Sequence, residues 1–170
     1  GNTKNFFTLP SNTICDLHFT GDSQTIPLYI YKNEEKEYNI TDWALDLFTT
    51  HYQSDIVHRT SAIQKEDIFH YVYAVLHHPA YRSKYALNLK REFPRIPLYN
   101  NFFQWAAWGK QLMELHLHYE SVAPWGLERK EVEAKAEPKA KLKADKDRCI
   151  IILDDNTELH GIPPSAWAYK

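Results

Sequence analysis

Four polar side chains between Pro79 and Pro97 fall at a spacing suited to reading nucleic acid: Lys84, Asn88 and Arg91 stand at i, i+4 and i+7, and Arg95 follows within FPRIP. On one helix the first three make a polar stripe about two turns long. An Asn amide can pair with N6 and N7 of adenine, an Arg fork with O6 and N7 of guanine, and a Lys ammonium can neutralise a phosphate, all from a helix in a major groove. Arg82 and Lys90 flank the stripe as secondary candidates. The same spacing also fits an ordinary solvated face, since charged outer faces are common on helices. Spacing alone leaves both readings open.

Other chemistry is less well supported. Nine histidines invite a metal site, especially His77-His78 and the pair His116 and His118. Adjacent helical positions diverge by about 100° and i, i+2 positions by about 200°, so neither pair converges on one ion as i, i+4 histidines would. A structural or capping role is expected instead, as for His78 before Pro79. Asp22 followed by Glu34-Glu35-Lys36 superficially matches the acid and Glu-x-Lys pattern of metal-dependent nucleases. Here the Glu-x-Lys is expected in a polar loop, without the apolar strand that normally carries it. A stand-alone nuclease is thus a third, weaker reading. The chain has no Asn/Asp-Pro-Pro-aromatic tetrapeptide, no Gly-rich methyl-donor turn, no GxxxxGK[ST] phosphate loop and no nucleophile elbow. Neither catalytic nor metal-ligating residues are expected. The basic run Lys135, Lys139, Lys141, Lys143, Lys146 and Arg148 could follow a phosphate backbone, but its interleaved acids equally suit a solubilising linker.

These side chains sit in a chain whose formal charge is −2 and whose pI is near 6.5. That balance argues against non-specific coating of nucleic acid, which depends on many phosphate contacts. Any binding must come from where the cations fall. The 44% apolar content and 8 Phe, 11 Tyr and 5 Trp can build one ring-rich core. Cys15 and Cys149 form neither a CxxC pair nor a disulfide framework, which fits a reducing compartment and makes the cytoplasm the default. No apolar run approaches the roughly 20 residues of a membrane span, and no signal architecture opens the chain. The Gly1 start and a last stretch, 165–170, that reads as an unfinished helix suggest a piece of a longer polypeptide.

The elements that must position the candidates read as α+β: an N-terminal β-hairpin, a central bundle of three to four helices and a C-terminal β-hairpin. Strands are expected at 14–19 and 26–31 around the turn Thr20-Gly21-Asp22-Ser23, followed by a polar loop, KNEEKEYN. Thr41 or Asp42 can cap a short helix through Trp43, Leu45, Leu47 and Phe48. Residues 51–64 read as a surface excursion. In KEDIFHYVYAVLHH, Ile68, Phe69, Val72, Val75 and Leu76 recur at helical spacing. Pro79 then suits the first turn of a helix, PAYRSKYALNLKREF, whose Tyr81, Tyr85, Leu89 and Phe93 face inward. Pro94 and Pro97 make a stiff extended corner around Arg95 and Ile96. A third long helix is expected over 101–119, with Phe102, Trp105, Ala106, Gly109, Leu112, Met113 and His116 near one side. The charged stretch after Pro124 reads as a linker or ribbon, and 149–153 with a turn at 154–157 and a return to His160 as a hairpin. The organisation is then one domain: strand pair 1–40, helical core 41–120, charged linker or ribbon 121–148, and 149–170 a hairpin with the start of a truncated helix.

The blocks KEDIFHYVYAVLHHPAYRSKYALNLKREFPRIPLY, FFQWAAWGKQLMELHLHYE and IILDDNTELHGIPPSAWAY, with the opening ICDLHFTGDSQTIPLYIY, resemble in order and separation the C-terminal specificity domain of Type ISP restriction-modification enzymes. The resemblance implies a parent polypeptide with a nuclease, a helicase-like translocating ATPase and an adenine-N6 methyltransferase, using ATP, Mg²⁺ and S-adenosylmethionine outside this fragment. It implies that this piece is non-catalytic, holds duplex DNA beside the methyltransferase, reads a short asymmetric site and acts as a monomer away from membranes. Lys84, Arg91 and Arg95 are then expected as phosphate or guanine contacts and Asn88 as a base reader, with Arg82 and Lys90 secondary. The alternative is a non-catalytic docking module that orients the methyltransferase or helicase part without reading sequence.

Overall fold

The structure, a computed structural model, describes residues 6–16, 24–57, 61–131 and 137–168. The chain forms two compact units, Gly1–Val122 and Ala123–Lys170. Mixed α and β content is as expected, and no helix among the described residues is long and apolar enough to cross a membrane.

In the first unit, β1 (Tyr29–Lys32) pairs antiparallel with β2 (Glu35–Tyr38), placing Tyr29 opposite Tyr38 and Lys32 opposite Glu35. The hairpin therefore lies one segment later than expected. Residues 14–16 have no regular structure, while 17–19, the second half of the first expected strand, and Thr20-Gly21-Asp22-Ser23 lie outside the described residues. The KNEEKEYN stretch is a turn and strand instead of a loop. Asn33 and Glu34 both adopt positive φ, 50° and 70°, which is the backbone that a two-residue hairpin turn demands. Cross-strand contacts compensate for the poor strand propensity of Glu and Lys: the Tyr29 and Tyr38 rings lie 4.9 Å apart, and Lys36 Nζ sits 3.7 Å from the Tyr29 ring centre.

Helix α1 (Asp42–His51) starts where Thr41 Oγ1 accepts the Ala44 amide at 3.2 Å. A short α2 (Gln53–Ile56) follows, so the expected surface excursion is partly ordered core. Tyr52 and Ile63 are each 3% exposed, and residues 58–60 fall outside the described set. Helix α3 (Lys65–His77) opens with a reciprocal capping box between Gln64 and Asp67 and buries Ile68, Tyr71, Tyr73, Ala74 and Val75. It packs along α5 (Phe102–Leu117), whose Phe102, Ala106, Gly109 and Met113 face inward. At the crossing, a Cβ on Gly109 would collide with the His70 carbonyl, so the two backbones approach as only glycine permits. Asn101, at φ 64°, leads into α5, and Asp55 Oδ2 accepts the Phe102 amide at 3.3 Å.

The helix expected from Pro79 to Phe93 is much shorter. Helix α4 (Pro79–Lys84) ends at Lys84, and only a 3₁₀ turn, Asn88–Lys90, follows. Tyr81 and Leu89 do reach the core, but Phe93 is 65% exposed. Isolated helices of this length are marginal, and burial of Leu89 through a turn outweighs continuing the 3.6-residue pattern. Pro94 also disfavours helical backbone at its predecessor.

In the second unit the described parts of the charged stretch supply the two outer strands of a sheet. Strands β3 (Glu128–Glu131), β4 (Ala140–Asp145), β5 (Ile150–Asp154) and β6 (Thr157–His160) make an antiparallel sheet in the order β3-β6-β5-β4. The expected hairpin is its centre, with Ile150 1%, Thr157 3% and Ile162 7% exposed. Register between β4 and β5 shifts between Ala140 and Lys143, around Leu142 at φ 33°. Pro164–Ala168 is a 3₁₀ turn where the start of a helix was expected.

Candidate nucleic-acid interface

The FPRIP corner is extended, without regular secondary structure, and is splinted from beneath by tyrosine hydroxyls. Tyr81 from α4 donates to the Arg95 carbonyl at 3.0 Å, Tyr71 from α3 to the Pro97 carbonyl at 2.8 Å, and Tyr52, just past α1, to the Tyr99 carbonyl at 2.7 Å. The Tyr71 oxygen also accepts the Tyr99 amide at 2.7 Å. Tyr52 and Tyr71 hydroxyls are 3.3 Å apart, so the single Tyr52 proton goes to the closer carbonyl. All three rings are at most 3% exposed, and burial, the leading cause, pushes each hydroxyl upward in pKa, so they remain donors. The need for such partners follows from the sequence: Pro94 and Pro97 have no amide hydrogen, and a carbonyl near the core must be satisfied from elsewhere. Alternate carbonyls at 95, 97 and 99 are thus held in a row. Ile96 and Leu98 pack against the core, and the Arg95 side chain is 92% exposed.

The other expected contacts lie on the run leading into this strap. Lys84 is the last residue of α4, its ammonium 5.2 Å from the Tyr85 ring centre. Asn88 and Lys90 begin and end the 3₁₀ turn, and Arg91 caps it; all four side chains are exposed. They are not a stripe on one helix, because α4 stops before three of them. What the structure brings together is an exposed, cation-rich segment between Lys84 and Arg95. Arg95 also lies 3.6 Å from Glu92, an exposed pair that constrains the guanidinium weakly. Arg82 differs: it is half-buried, and its Nη2 donates to the Phe6 carbonyl.

The basic run on and around β4 is more compensated. Lys141 pairs with Asp155, and Arg148 lies 3.4 Å from Glu158, whose carboxylate also meets His160 at 2.8 Å. Lys139, Lys143 and Lys146 are exposed; Lys135 lies outside the described residues.

Histidine contacts cross between helices, where spacing could not reveal them. The His77 and His116 rings are 5.3 Å apart, and Tyr73 Oη is 2.6 Å from His116 Nδ1. His77 Nδ1 lies 2.8 Å from the Tyr73 carbonyl, while its Nε2 lies 3.2 Å from the Thr8 carbonyl and 3.4 Å from the Thr8 hydroxyl, so a neutral ring donates from Nδ1 and accepts from the hydroxyl at Nε2. Burial chiefly lowers the His77 pKa. Among the described residues no group of three or more His, Cys, Asp or Glu could hold a metal ion. In the nuclease-like pattern, Glu34 is in the hairpin turn and Glu35 and Lys36 in β2, correcting the expected loop; Asp22 lies outside the described residues. A shallow groove of about 400 Å³ between α3 and α5 is lined by Ala74, His77, His78, Trp105, Trp108 and Leu112. Trp108 and Leu115 are 51% and 48% exposed, which extends this apolar strip along α5.

Comparison with known proteins gives one matching family, described as the Type ISP C-terminal specificity domain, over residues 1–170. The chain is similar to a chain in the cryoEM structure of a DrdV–DNA complex, with 49% identity, 91% of this chain covered and a TM-score of 0.77. It is similar to a nuclease-deletion mutant of the Type ISP restriction-modification enzyme LlaGI in complex with a DNA substrate mimic, at 30% identity over 100% of this chain and a TM-score of 0.68. It also resembles the ATP-dependent Type ISP restriction-modification enzyme LlaBIII bound to DNA, at 27% identity over 91% and a TM-score of 0.67. The chain spans 16%, 14% and 10% of those three chains. No curated protein matches it.

Proposed function

The chain belongs to the family of Type ISP C-terminal specificity domains, and we propose that it binds duplex DNA and selects a particular sequence within it. The observation that carries this reading is its similarity, across nearly its whole length, to chains in DNA complexes. The exposed segment from Lys84 to Arg95 supports it from within. Lys84, Arg91 and Arg95 contact phosphates or guanine, Lys90 adds a phosphate contact, and Asn88 pairs with adenine. Arg82, engaged with Phe6, holds the scaffold. The contacts come from a turn and an extended strap, and local cations do the work that a net charge of −2 cannot. By this reading the chain is a non-catalytic cytoplasmic module of a restriction-modification enzyme, with ATP, Mg²⁺ and S-adenosylmethionine bound elsewhere in the parent.

Selection from a random duplex pool tests sequence reading: a recovered consensus is expected, and an unenriched pool would overturn it. On any bound duplex, Lys84→Ala, Arg91→Ala and Arg95→Ala should each flatten the plot of log affinity against log salt by about one unit. An unchanged slope removes that residue from the contact set. A second reading, docking on the methyltransferase or helicase part, is favoured by the apolar strip of Trp105, Trp108, Leu112 and Leu115 on α5. An unenriched pool together with saturable binding of the chain to the rest of the parent would support it.

A further inference from the structure

We infer that Tyr81, backed by Tyr71 and Tyr52, is a positioning residue for DNA binding: its buried hydroxyl fixes the backbone of Arg95 so that the guanidinium is presented from a pre-ordered strap. This rests on the proposed contact between Arg95 and DNA.

Three observations converge. The three hydroxyls come from separate parts of the fold, α4, α3 and the end of α1, yet meet one short segment at successive alternate carbonyls. Packing alone does not require them, because phenylalanine would fill the same space without burying a polar group that must find a partner. The segment is stiff for independent reasons as well, since Pro94 fixes its own φ and Pro97 holds Ile96 extended. Immediately upstream, the run at 84–92 has Leu89 as its one buried anchor. The outcome is a solvent-facing Arg95 side chain on an immobile main chain. A cation on a mobile loop loses backbone freedom when it binds a phosphate, whereas one on a fixed strap has already lost it in folding.

The test uses the 170-residue chain with Tyr81→Phe, Tyr52→Phe, Arg95→Ala and the Tyr81→Phe/Arg95→Ala double variant. Without DNA, trypsin cleavage at Arg95–Ile96 reports opening of the strap, with cleavage after Lys90 and Arg91 as an internal reference. Losing one hydrogen bond should raise cleavage at Arg95–Ile96 relative to that reference by about three- to tenfold in Tyr81→Phe. Binding to a mixed-sequence duplex should weaken by about threefold, and this loss should vanish in the Arg95→Ala background. Unchanged cleavage overturns the inference whatever happens with DNA. Faster cleavage with unchanged affinity also overturns it. So do additive losses in the double variant, because a merely structural role would add. If Arg95→Ala leaves affinity intact, the DNA contact itself fails and the positioning role with it, while the cleavage result still reports on the strap. Should Tyr81→Phe not fold, Tyr52→Phe, which frees the Tyr99 carbonyl, carries the same expectations and the same refutations.

Discussion

Glu66 shows how much one carboxylate can organise. It accepts the Tyr29 hydroxyl at 2.6 Å and the Tyr38 hydroxyl at 3.1 Å, tying both strands of the N-terminal hairpin to the first turn of α3. Those hydrogen bonds, Tyr29 first, hold its pKa below the ordinary value of about 4.5 and raise that of Tyr29. A depressed carboxylate contributes fully above its ordinary pKa, and the contribution disappears as pH falls through the lowered value. Glu66→Gln should therefore loosen the hairpin at neutral pH, where wild type is fully tied. Exchange of the Asn39 amide, which donates to Leu28 at 2.9 Å beside the strands, should accelerate roughly three- to tenfold. Equal exchange in the two proteins would show that the cross-strand ring contacts suffice.

Among the elements, the α3–α5 pair sets opposing effects against each other at Gly109. In an isolated helix, alanine is better than glycine by up to about 1 kcal/mol. Here the added methyl meets the His70 carbonyl and approaches Ala74 Cβ at 3.2 Å, and backbone cannot step aside as a side chain can. Overpacking of this kind costs about 1–3 kcal/mol, so Gly109→Ala should destabilise despite its propensity, lowering the urea midpoint without changing the slope. A raised midpoint would show that the helices separate freely. Elements α3 and α5 were legible from their 3.6-residue periodicity and α1 from its apolar spacing behind a Thr41 cap, and β5 and β6 because a dense apolar run met a turn. The first hairpin was hidden, since Glu35 and Lys36 carry no strand signal and the stabilising partners are across the turn or on α3. Likewise α4 could not be seen to stop at Lys84, because Tyr81 and Leu89 fit a helix pattern whether or not the chain turns between them. The strap was half legible. Prolines announced an extended corner, but Tyr52, Tyr71 and Tyr81 read as apolar core, and only a count of carbonyls needing donors would have singled out their hydroxyls.

Over the first unit as a whole, half-buried imidazoles couple stability to pH. Burial is the largest cause lowering both His70 and His77 from the ordinary value of 6.5. The unfolded chain then takes up protons that the folded one refuses, so stability is constant well above pH 6.5 and declines as pH falls below it. Each histidine contributes at most about 1.4 kcal/mol per pH unit, and less here because both rings remain partly solvated. Urea midpoints should fall from pH 7.5 to pH 5.5, and His77→Gln should make that decline shallower. A flat profile would mean that both rings are protonated in place without cost. The second unit raises a different matter, that of colloidal behaviour. An open sheet offers its two outer strands to any other chain, yet β4 interrupts its own ladder at Leu142 and displays Lys141 and Lys143, while β3 reads Glu-Arg-Lys-Glu. A kinked, lysine-bearing margin on one side and a wholly charged one on the other make poor templates for fibril growth, so this sheet can stay open without recruiting its own copies.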